Sequence, residues 1–352
     1  MNWMIYGVTG YTGRLVVEEA VKRGHQPIVA GRNSAKVTPI AQAYNLTPSI
    51  FSLDSVDTIA GELQKHNIEL VMHIAGPYKY TSDPMIQACL QVGAHYLDIT
   101  GEIDVYQNAY RYHQQADAKG IVVMLGVGFD VVPSDCLLKY VADQIDKPTH
   151  LEISFHNEGI ASRGTLKSAV EIIRTVGNVV RRDGELVKIP FASQQKTIDF
   201  MSGKATVYQS MWGDVETGYR TTGIPNITTF FTFSDAVYKQ LQMLNRAAPL
   251  LGIGFIRNFI KSQIDKLPEG PSEKMRETLK INLHAKATNA HGDSAEAWLE
   301  TVEGYRFTAL ACLHAVEQVL DGNHKGALTP AQAFGADFVL GIEGTIRKDS
   351  LT

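Results

Sequence analysis

Residues 2–13 read Asn-Trp-Met-Ile-Tyr-Gly-Val-Thr-Gly-Tyr-Thr-Gly, a short apolar run followed by glycines at positions 7, 10 and 13. A helix-like stretch follows at residues 14–23 and stops before Gly24. Strand, glycine turn and helix in this order are typical of a dinucleotide-binding unit, because glycine lets the backbone approach a diphosphate and the helix N-terminus offers it N–H groups. The pattern predicts a cofactor loop made of Gly7, Thr9, Gly10, Tyr11, Thr12 and Gly13.

The second predicted strand, residues 26–32, ends in a segment of basic and amide side chains. A dinucleotide unit that prefers NAD usually places an acidic residue about 20 residues past the glycine loop, where it holds the ribose hydroxyls. This chain instead has Arg32 and Asn33, with Lys36 close behind. Because a guanidinium can grip a ribose 2′-phosphate through two hydrogen bonds, we predict NADP(H) rather than NAD(H) as cofactor. The alternative is that Arg32 is a solvated loop residue.

Composition narrows the class of protein. A chain of 352 residues is long enough for two domains, and its net charge of −4 makes nucleic acid an unexpected partner. The three cysteines, Cys89, Cys136 and Cys312, are far apart, and the 11 histidines show no ligand spacing, so neither disulfides nor a metal are predicted. No signal peptide is recognised, and a cytoplasmic location is expected.

Up to about residue 135, predicted strands and helices alternate. Six strands are almost continuously apolar, near residues 2–6, 26–32, 49–53, 69–75, 95–100 and 121–125. Helices are predicted at residues 14–23, 56–66, 83–92 and 103–118. Such alternation indicates a parallel sheet covered on both faces. We therefore predict an α/β fold whose first domain, residues 1–135, is a doubly wound Rossmann domain.

A second domain is predicted over residues 136–325. Strands are expected at 151–155, 204–208 and 279–287, the last half-exposed because it alternates apolar and polar residues, and helices at 165–176 and 307–320. This pattern predicts an α+β domain on a mixed or antiparallel sheet, which would bind substrate and form a dimer. The C-terminal residues 326–352 are expected to pack back on the first domain.

No apolar run reaches the length of a membrane span. Residues 247–256 are the nearest candidate, but the run is short and broken by Pro249, Gly252 and Gly254. It is either a buried or substrate-covering segment or a peripheral contact with a lipid surface. The aromatic and aliphatic content of residues 229–260 favours an apolar substrate.

Chemistry is expected beyond the carboxyl ends of the parallel strands, where ligands bind in open sheets. The fourth strand runs into Ala75-Gly-Pro-Tyr78, so Ala75, Gly76 and Pro77 are expected against the cofactor and Tyr78 beside the nicotinamide. His73, within that strand, is interpreted as a core histidine, and Glu102 is expected to begin the helix after the fifth strand.

The segment after the sixth strand, residues 126–135, carries two carboxylates. Asp130 and Asp135 flank Pro133, where a helix is expected to begin, so both should lie near a helix N-terminus. They could orient a cationic substrate or hold a proton-transfer group, and with Tyr78 they are the candidate catalytic residues. Asp130 could instead cap the helix.

These segments together resemble the saccharopine dehydrogenase-like oxidoreductase family, including trans-acting enoyl reductases. The motifs are Gly7-Val-Thr-Gly-Tyr-Thr-Gly13, Ala30-Gly-Arg32, Ala75-Gly-Pro-Tyr78, Tyr96-Leu-Asp-Ile-Thr-Gly-Glu102 and Gly128-Phe-Asp-Val-Val-Pro-Ser-Asp135. The resemblance implies a Rossmann domain, a nicotinamide cofactor, a mixed-sheet second domain and a homodimer. Saccharopine-forming members carry Gly-x-Asp-Pro-Gly-x-Asp-His, whereas here no histidine follows Asp135, so the resemblance does not extend to that activity.

Two hypotheses about function follow. The first is an NADP(H)-dependent oxidoreductase that transfers a hydride to or from a small or lipid-like substrate, at an imine, a ketone or an enoyl group. The second is a non-catalytic NADP(H)-binding sensor or scaffold. The second stays open because no tyrosine is followed four residues later by lysine, as in short-chain dehydrogenases. No Gly-x-Ser-x-Gly elbow of a hydrolase is present either.

Overall fold

A computed structural model describes residues 2–157, 159–175, 178–234, 237–239 and 254–351. The chain divides into two compact units. The first unit comprises Met1–Val132 and Tyr305–Ala333, and the second comprises Pro133–Gly304 and Phe334–Thr352.

Strands and helices follow one another along the described residues. The strands are β1 (Trp3–Tyr6), β2 (Ile28–Gly31), β3 (Pro48–Ile50), β4 (Leu70–His73), β5 (His95–Asp98), β6 (Val122–Met124), β7 (Pro148–Asn157), β8 (Val179–Arg182), β9 (Glu185–Lys188), β10 (Gln195–Phe200), β11 (Gly203–Gln209), β12 (Asn226–Thr232), β13 (Lys280–Asn289), β14 (Ser294–Val302), β15 (Gly326–Leu328) and β16 (Ile346–Lys348). The helices are α1 (Tyr11–Lys22), α2 (Ser34–Ala43), α3 (Val56–Lys65), α4 (Tyr78–Val92), α5 (Ile103–Tyr110), α6 (His113–Lys119), α7 (Val132–Ala142), α8 (Arg163–Thr175), α9 (Asp214–Thr222), α10 (Gly254–Ile264), α11 (Glu273–Thr278), α12 (Gly304–Asp321) and α13 (Pro330–Phe334).

The first unit is built on a seven-stranded sheet in the order β15-β6-β5-β4-β1-β2-β3. All neighbouring strands are parallel. β1 and β4 are adjacent, and the chain continues outward from them in opposite directions, so the topological switch point of the sheet lies between these two strands. The predicted doubly wound parallel sheet is confirmed.

Burial explains why these strands are so apolar. All four residues of β1 and of β4 are buried, and Ile5 lies opposite Met72 with both side chains fully buried. A sheet covered on both faces offers no solvated side to polar residues. Each fully buried aliphatic side chain contributes about 1.5–3 kcal/mol relative to leaving it exposed.

Two helix predictions in this unit are wrong at their boundaries. The helix predicted at 83–92 begins at Tyr78 and contains Pro84. The hydroxyl groups of Thr81 and Ser82 donate to the carbonyl oxygens of Pro77 and Tyr78, which supplies hydrogen bonds to the first turn of this proline-containing helix. The helix predicted at 103–118 is two helices, α5 and α6, separated by residues 111–112.

The second unit is built on a mixed sheet, as predicted. Its order is β10-β11-β12-β7-β13-β14-β16, with the β8–β9 hairpin attached to β12. β12 and β7 are parallel, whereas the other neighbouring pairs are antiparallel.

The predicted half-exposed strand within this sheet is covered on both faces. The polar residues Asn282 and His284 of β13 are buried along with their apolar neighbours. β10 lies over this face of the sheet, because the indole N–H of Trp298 on β14 donates to the Asp199 carbonyl at 2.7 Å. The alternation of apolar and polar residues in the sequence therefore did not predict which side chains of β13 are exposed.

The chain crosses between the two units more often than predicted. β15 pairs with β6 in the first sheet, whereas β16 pairs with β14 in the second sheet, so the prediction that residues 326–352 pack together on the first domain is wrong for residues 334–352. Helix α12, assigned to the second domain from the sequence, belongs to the first unit. Periodicity identifies an element, but the sheet edge that it joins depends on non-local packing.

Candidate cofactor and catalytic site

Two of the three loop glycines are required by the shape of the β1–α1 turn. Gly7 has φ +104°, and a Cβ there would lie 2.5 Å from the Ile74 carbonyl oxygen. A Cβ at Gly13 would overlap the Gly7 carbonyl oxygen, whereas one at Gly10 would lie 3.5 Å from it, an ordinary contact. The glycine pattern thus serves the close approach of strand, turn and helix that a diphosphate loop needs.

The same turn presents a helix N-terminus. Gly10 is the N-cap of α1 and makes no side-chain capping bond, and the first backbone hydrogen bond into the helix runs from Arg14 N–H to Gly10 O at 3.1 Å. The N–H groups of the first helical turn, which includes Tyr11, Thr12 and Gly13, point along the helix axis toward its N-terminal end. These residues fit a diphosphate, because anions bind favourably at such a terminus. Thr9 lies within the turn, and its carbonyl oxygen accepts a hydrogen bond from the Arg14 guanidinium.

At the end of β2, the predicted basic residues face solvent. Arg32, Asn33 and Lys36 are all exposed, and Asn33 is the N-cap of α2 without a side-chain capping bond. Arg32 lies close enough to Tyr6 to lower the pKa of its phenol, although burial dominates and raises that pKa to about 12. This geometry is compatible with a 2′-phosphate contact and equally with a solvated loop.

After β4, the segment Ala75–Pro77 forms a tightly bonded turn that includes a cis Gly76–Pro77 peptide bond. The carbonyl oxygen of Ala75 accepts from the Thr81 hydroxyl at 2.7 Å and lies 3.2 Å from His73 Nε2. A Cβ at Gly76 would touch the Tyr78 ring at 3.4 Å. The backbone here is fixed by its own hydrogen bonds at the edge where β1 and β4 both end.

Tyr78 points into the core of the unit. It is buried, its ring lies against His73, and its hydroxyl is 3.5 Å from the His73 carbonyl oxygen. Burial raises the pKa of Tyr78 well above its usual value. This position favours a packing role over proton transfer. His73 is fully buried, as the sequence predicted, and burial lowers its pKa to about 4, so the ring is neutral at physiological pH.

Glu102 has a role that the sequence did not indicate. Its carboxylate caps the first turn of α4, accepting from Tyr78 N–H at 2.9 Å and from Lys79 N–H at 3.1 Å. Burial raises the pKa of this carboxyl group. Glu102 is also the N-cap residue of α5, as expected, but its side chain serves the neighbouring helix.

Asp98, the last residue of β5, is a fully buried carboxyl group. Oδ2 accepts from the Tyr96 hydroxyl at 2.7 Å, and Oδ1 accepts from the backbone N–H groups of Thr100 at 3.0 Å and Gly126 at 3.1 Å. Burial raises the pKa of Asp98 to about 7. The side chain therefore links the strand ends of β5 and β6.

The segment 126–131 after β6 folds back on itself and carries Asp130. Val131 N–H donates to the Gly126 carbonyl at 2.8 Å, and the peptide bond between Asp130 and Val131 is cis. A Cβ at Gly101 would lie 2.9 Å from Asp130 Oδ2, which places the half-buried carboxylate beside the loop that follows β5. Asp130 is thus located at the strand-end edge of the first unit.

Asp135 has a different environment from Asp130. It lies in the first turn of α7 within the second unit, is fully buried, and accepts a hydrogen bond from the Thr221 hydroxyl at 2.5 Å. This bond satisfies a buried carboxylate oxygen, which favours a structural role for Asp135.

The first unit is similar in sequence to a known family. Residues 3–124 match the family model of the saccharopine dehydrogenase NADP-binding domain. The resemblance inferred from the motifs is thereby confirmed, and NADP is the cofactor of the matching family model.

Relatives of the chain carry names consistent with this domain. A saccharopine dehydrogenase-like oxidoreductase of Homo sapiens is 27% identical over 193 residues, which cover 47% of this chain and 44% of the relative. A saccharopine dehydrogenase-like oxidoreductase of Arabidopsis thaliana, whose name assigns it to mitochondria, is 29% identical over 48% of this chain and 42% of its own. A trans-acting enoyl reductase of Mycobacterium bovis is 30% identical over 38% and 33%. The matches span half or less of each relative's length.

Solved structures share the fold over nearly the whole chain. The apo saccharopine dehydrogenase (L-Glu forming) of Saccharomyces cerevisiae aligns with a TM-score of 0.67 and 11% identity, covering 99% of both chains. The homospermidine synthase of Legionella pneumophila, in complex with NAD, aligns with a TM-score of 0.62 and 8% identity, covering 99% of this chain and 92% of that one. Sequence identities this low show a shared fold and no more.

Three residues near the strand-end edge of the NADP-binding unit escaped the sequence analysis. Asp98 was visible as an acidic residue ending an apolar strand, which is a usable signal. Tyr305 and Thr308 were not detectable, since they come from α12, almost 300 residues after the glycine loop. Tyr305 packs edge-on against Tyr11 with ring centroids 5.2 Å apart, and the Thr308 hydroxyl accepts from Phe129 N–H at 3.0 Å.

The second unit contains a connected group of aromatic side chains at the carboxyl end of β12. Phe231 stacks on Phe155 with centroids 4.4 Å apart and lies 4.8 Å from Trp212. Phe233, Tyr208 and Tyr238 extend the group. The buried indole nitrogen of Trp212 has no hydrogen-bond partner among the described residues. We call these six residues the aromatic cluster.

Among the described residues, no helix is both long and apolar enough to cross a bilayer. In the same residues, no group of three or more histidine, cysteine or acidic side chains could hold a metal ion. Within the predicted segment 247–256, residues 247–253 lie outside the described residues, and α10 begins at Gly254.

Proposed function

We propose that this protein is an NADP(H)-dependent oxidoreductase. The observation that carries the proposal is the β1–α1 turn, where Gly7 and Gly13 allow a backbone approach that no side chain would permit, at the switch point of a parallel sheet. A nicotinamide cofactor held there supplies or accepts a hydride. The protein contributes binding, orientation and proton transfer.

Arg32 is proposed to select the phosphorylated cofactor. It is exposed at the end of β2, and no hydrogen bond or ion pair to it is found among the described residues, so its five N–H donors are available to a 2′-phosphate. Asn33 and Lys36 lie beside it, and Ala75, Gly76 and Pro77 line the same strand-end edge. NAD(H) is expected to bind more weakly.

Asp130 is proposed as the proton-handling residue. Of the three candidates from the sequence, Tyr78 is packed in the core and Asp135 is bonded to Thr221, whereas Asp130 is half-buried at the strand-end edge. A carboxyl group in that position can exchange a proton with a bound substrate. Tyr78 and Asp135 are assigned supporting roles.

The substrate is proposed to be apolar, which the aromatic and aliphatic content of residues 229–260 supports. An imine, a ketone and an enoyl group all remain within this class. A homodimer, a cytoplasmic location and contact of residues 247–256 with a lipid surface stay predictions.

Cofactor titration followed by a turnover screen tests the proposal. We expect saturable binding of NADPH by calorimetry, then oxidation of NADPH with one class in a panel of apolar imines, ketones and enoyl thioesters. Asp130→Asn should lower kcat while NADPH affinity is kept. No binding of either NADPH or NADP⁺ would refute the assignment.

The second candidate function is a non-catalytic NADP(H) sensor or scaffold. The observation that favours it is the engagement of Tyr78 and Asp135 in structural contacts, which leaves a single acid–base candidate. Tight NADPH binding with no turnover of any of the three substrate classes would support the sensor over the reductase.

A further inference from the structure

The strand ends of β5 and β6 are connected through one buried side chain. Asp98 Oδ1 accepts hydrogen bonds from Thr100 N–H, in the loop after β5, and from Gly126 N–H, in the loop after β6. The Asp98 carbonyl oxygen also accepts from Val127 N–H at 2.8 Å. A single residue thus fixes the first two amide groups of the segment 126–131.

The rest of that segment is packed against the loop after β5, so the two loops form one structure. A Cβ at Gly126 would overlap the Tyr106 hydroxyl, which itself donates to the Thr100 carbonyl at 2.6 Å. The position of Gly101 leaves room for the Asp130 carboxylate beside it. Movement of residues 126–131 relative to β5 would therefore displace Asp130.

We propose that Asp98 is a positioning residue, which holds the segment 126–131, and with it Asp130, at the cofactor edge of the sheet. This inference rests on the proposed function, because it assigns Asp98 a part in placing the proposed proton-handling group. Asp98 itself lies beneath the loops and is fully buried, so it acts through the loop backbone.

The surroundings of Asp98 make this link sensitive to pH. Its neighbours are Tyr96 on β5, His73 opposite it on β4, Tyr78 at the start of α4, Glu102 before α5 and Cys312 on α12. Burial lowers the pKa of His73 and raises the pKa of Tyr78, Tyr96 and Cys312, so these four groups are neutral near pH 7. Among these neighbours Glu102 alone can add a negative charge, which also raises the pKa of Asp98.

The sign of the pH effect follows from linkage. The pKa of Asp98 in the folded protein is about 7, above the ordinary carboxyl value, so the closed form holds its proton more tightly than a form in which water reaches the carboxyl group. Protonated Asp98 therefore stabilises the closed loop at low pH, and this stabilisation is lost as pH rises through about 7. Opening of residues 126–131 should become easier as pH rises from about 4 to about 7, and should change little above that range.

Hydrogen exchange on the full-length protein tests the proposal without needing a substrate. In Asp98→Ala, we expect the amides of residues 125–131 to exchange about tenfold faster than in the parent chain, while residues 7–13 keep their rate. Asp98→Asn should restore near-parental exchange, because its amide oxygen can accept both backbone bonds. Asp104→Asn, at a half-buried carboxylate paired with Lys79, is the matched control.

The pH arm separates positioning from general stability. Corrected for intrinsic chemistry, protection of residues 125–131 in the parent chain should fall about tenfold between roughly pH 5.5 and pH 8, and should be independent of pH in Asp98→Asn. Parental exchange in Asp98→Ala, or an unchanged pH dependence in Asp98→Asn, would overturn the inference. If Asp98→Ala does not fold, the Asp98→Asn comparison decides alone. NADPH titration of the same samples tests the proposed function separately, since its failure leaves the exchange result intact.

Discussion

The carboxylate of Glu102 caps the helix that begins at Tyr78, 24 residues earlier in the chain. Its two oxygens each accept a backbone N–H, from Tyr78 and from Lys79. A helix N-terminus has unsatisfied donors and a partial positive charge, so a buried carboxylate is a well-matched partner. The contact ties the loop after β5 to the turn after β4, and both border the proposed site.

Loss of this cap should destabilise the NADP-binding domain. Glu102→Ala leaves the buried Tyr78 N–H and the partly buried Lys79 N–H without their acceptor, and we expect the free energy of unfolding to fall by about 1–3 kcal/mol. Glu102→Gln keeps one acceptor oxygen and should lose less. Urea denaturation followed by circular dichroism measures both. Equal stability of the alanine variant and the parent chain would show that water replaces the cap.

The glycine loop should tolerate substitution at one position and not at the others. Gly13→Ala forces a Cβ against the Gly7 carbonyl, and Gly7→Ala adds a Cβ at positive φ against Ile74, so each should weaken NADPH binding by about tenfold or more. Gly10→Ala is the control, because its Cβ meets only an ordinary contact. NADPH fluorescence titration compares the three. A Gly10→Ala loss as large as that of Gly13→Ala would mean that cofactor contact, and not turn geometry, sets the requirement at Gly10.

Arg32 should discriminate between the two nicotinamide cofactors. In Arg32→Ala, we expect NADPH affinity to fall about tenfold to a hundredfold, in the range of a lost charge-assisted bidentate contact, with little change for NADH. Calorimetric titration with both cofactors measures the ratio. Arg111→Ala removes an exposed guanidinium elsewhere in the unit and serves as control. Equal losses for NADPH and NADH in Arg32→Ala would contradict the assignment.

His73 should make the protein sensitive to acid. The pKa of His73 in the folded state is about 4, below the ordinary value of about 6.5. The neutral ring therefore contributes to the stability of the folded protein at neutral pH, and this contribution is lost as pH falls from about 6.5 toward 4. The linkage corresponds to about 3 kcal/mol over that interval. His73→Phe should flatten this part of the stability profile, with a smaller loss at neutral pH from the missing bond to Ala75. Denaturation at several pH values is the measurement, and an unchanged acid slope in His73→Phe would assign the effect to other groups.

The sequence predicted the first sheet well because its evidence is local. Continuous apolar runs identified the first six strands of the sheet, and glycine spacing identified the turn between β1 and α1. The start of α4 was misjudged because Pro84 usually marks the first turn of a helix, whereas here it lies inside the helix. The hydroxyl groups of Thr81 and Ser82 donate hydrogen bonds to carbonyl oxygens at the start of the helix. Helix propensity does not predict these contacts.

Site residues were predictable only when they stood at the ends of recognisable strands. Asp130 was found because it follows β6, but the Asp98 contacts that hold its loop depend on adjacent strands β5 and β6. Tyr305 and Thr308 could not be found, because helix α12 joins the first unit by a long-range connection. Asp130 and Asp135 looked equivalent in the sequence, yet Asp135 is buried against Thr221.

The amino-acid sequence alone determined that a parallel sheet with a glycine turn after its first strand forms, because side-chain periodicity and glycine spacing act over a few residues and need no distant partner. Tertiary structure decided which carboxyl groups are buried, which cap a helix and which reach the strand-end edge. Those outcomes depend on groups brought together from distant positions, as Glu102 is with Tyr78 and Asp135 with Thr221. Burial and hydrogen bonding across such distances set protonation, and no local pattern encodes them.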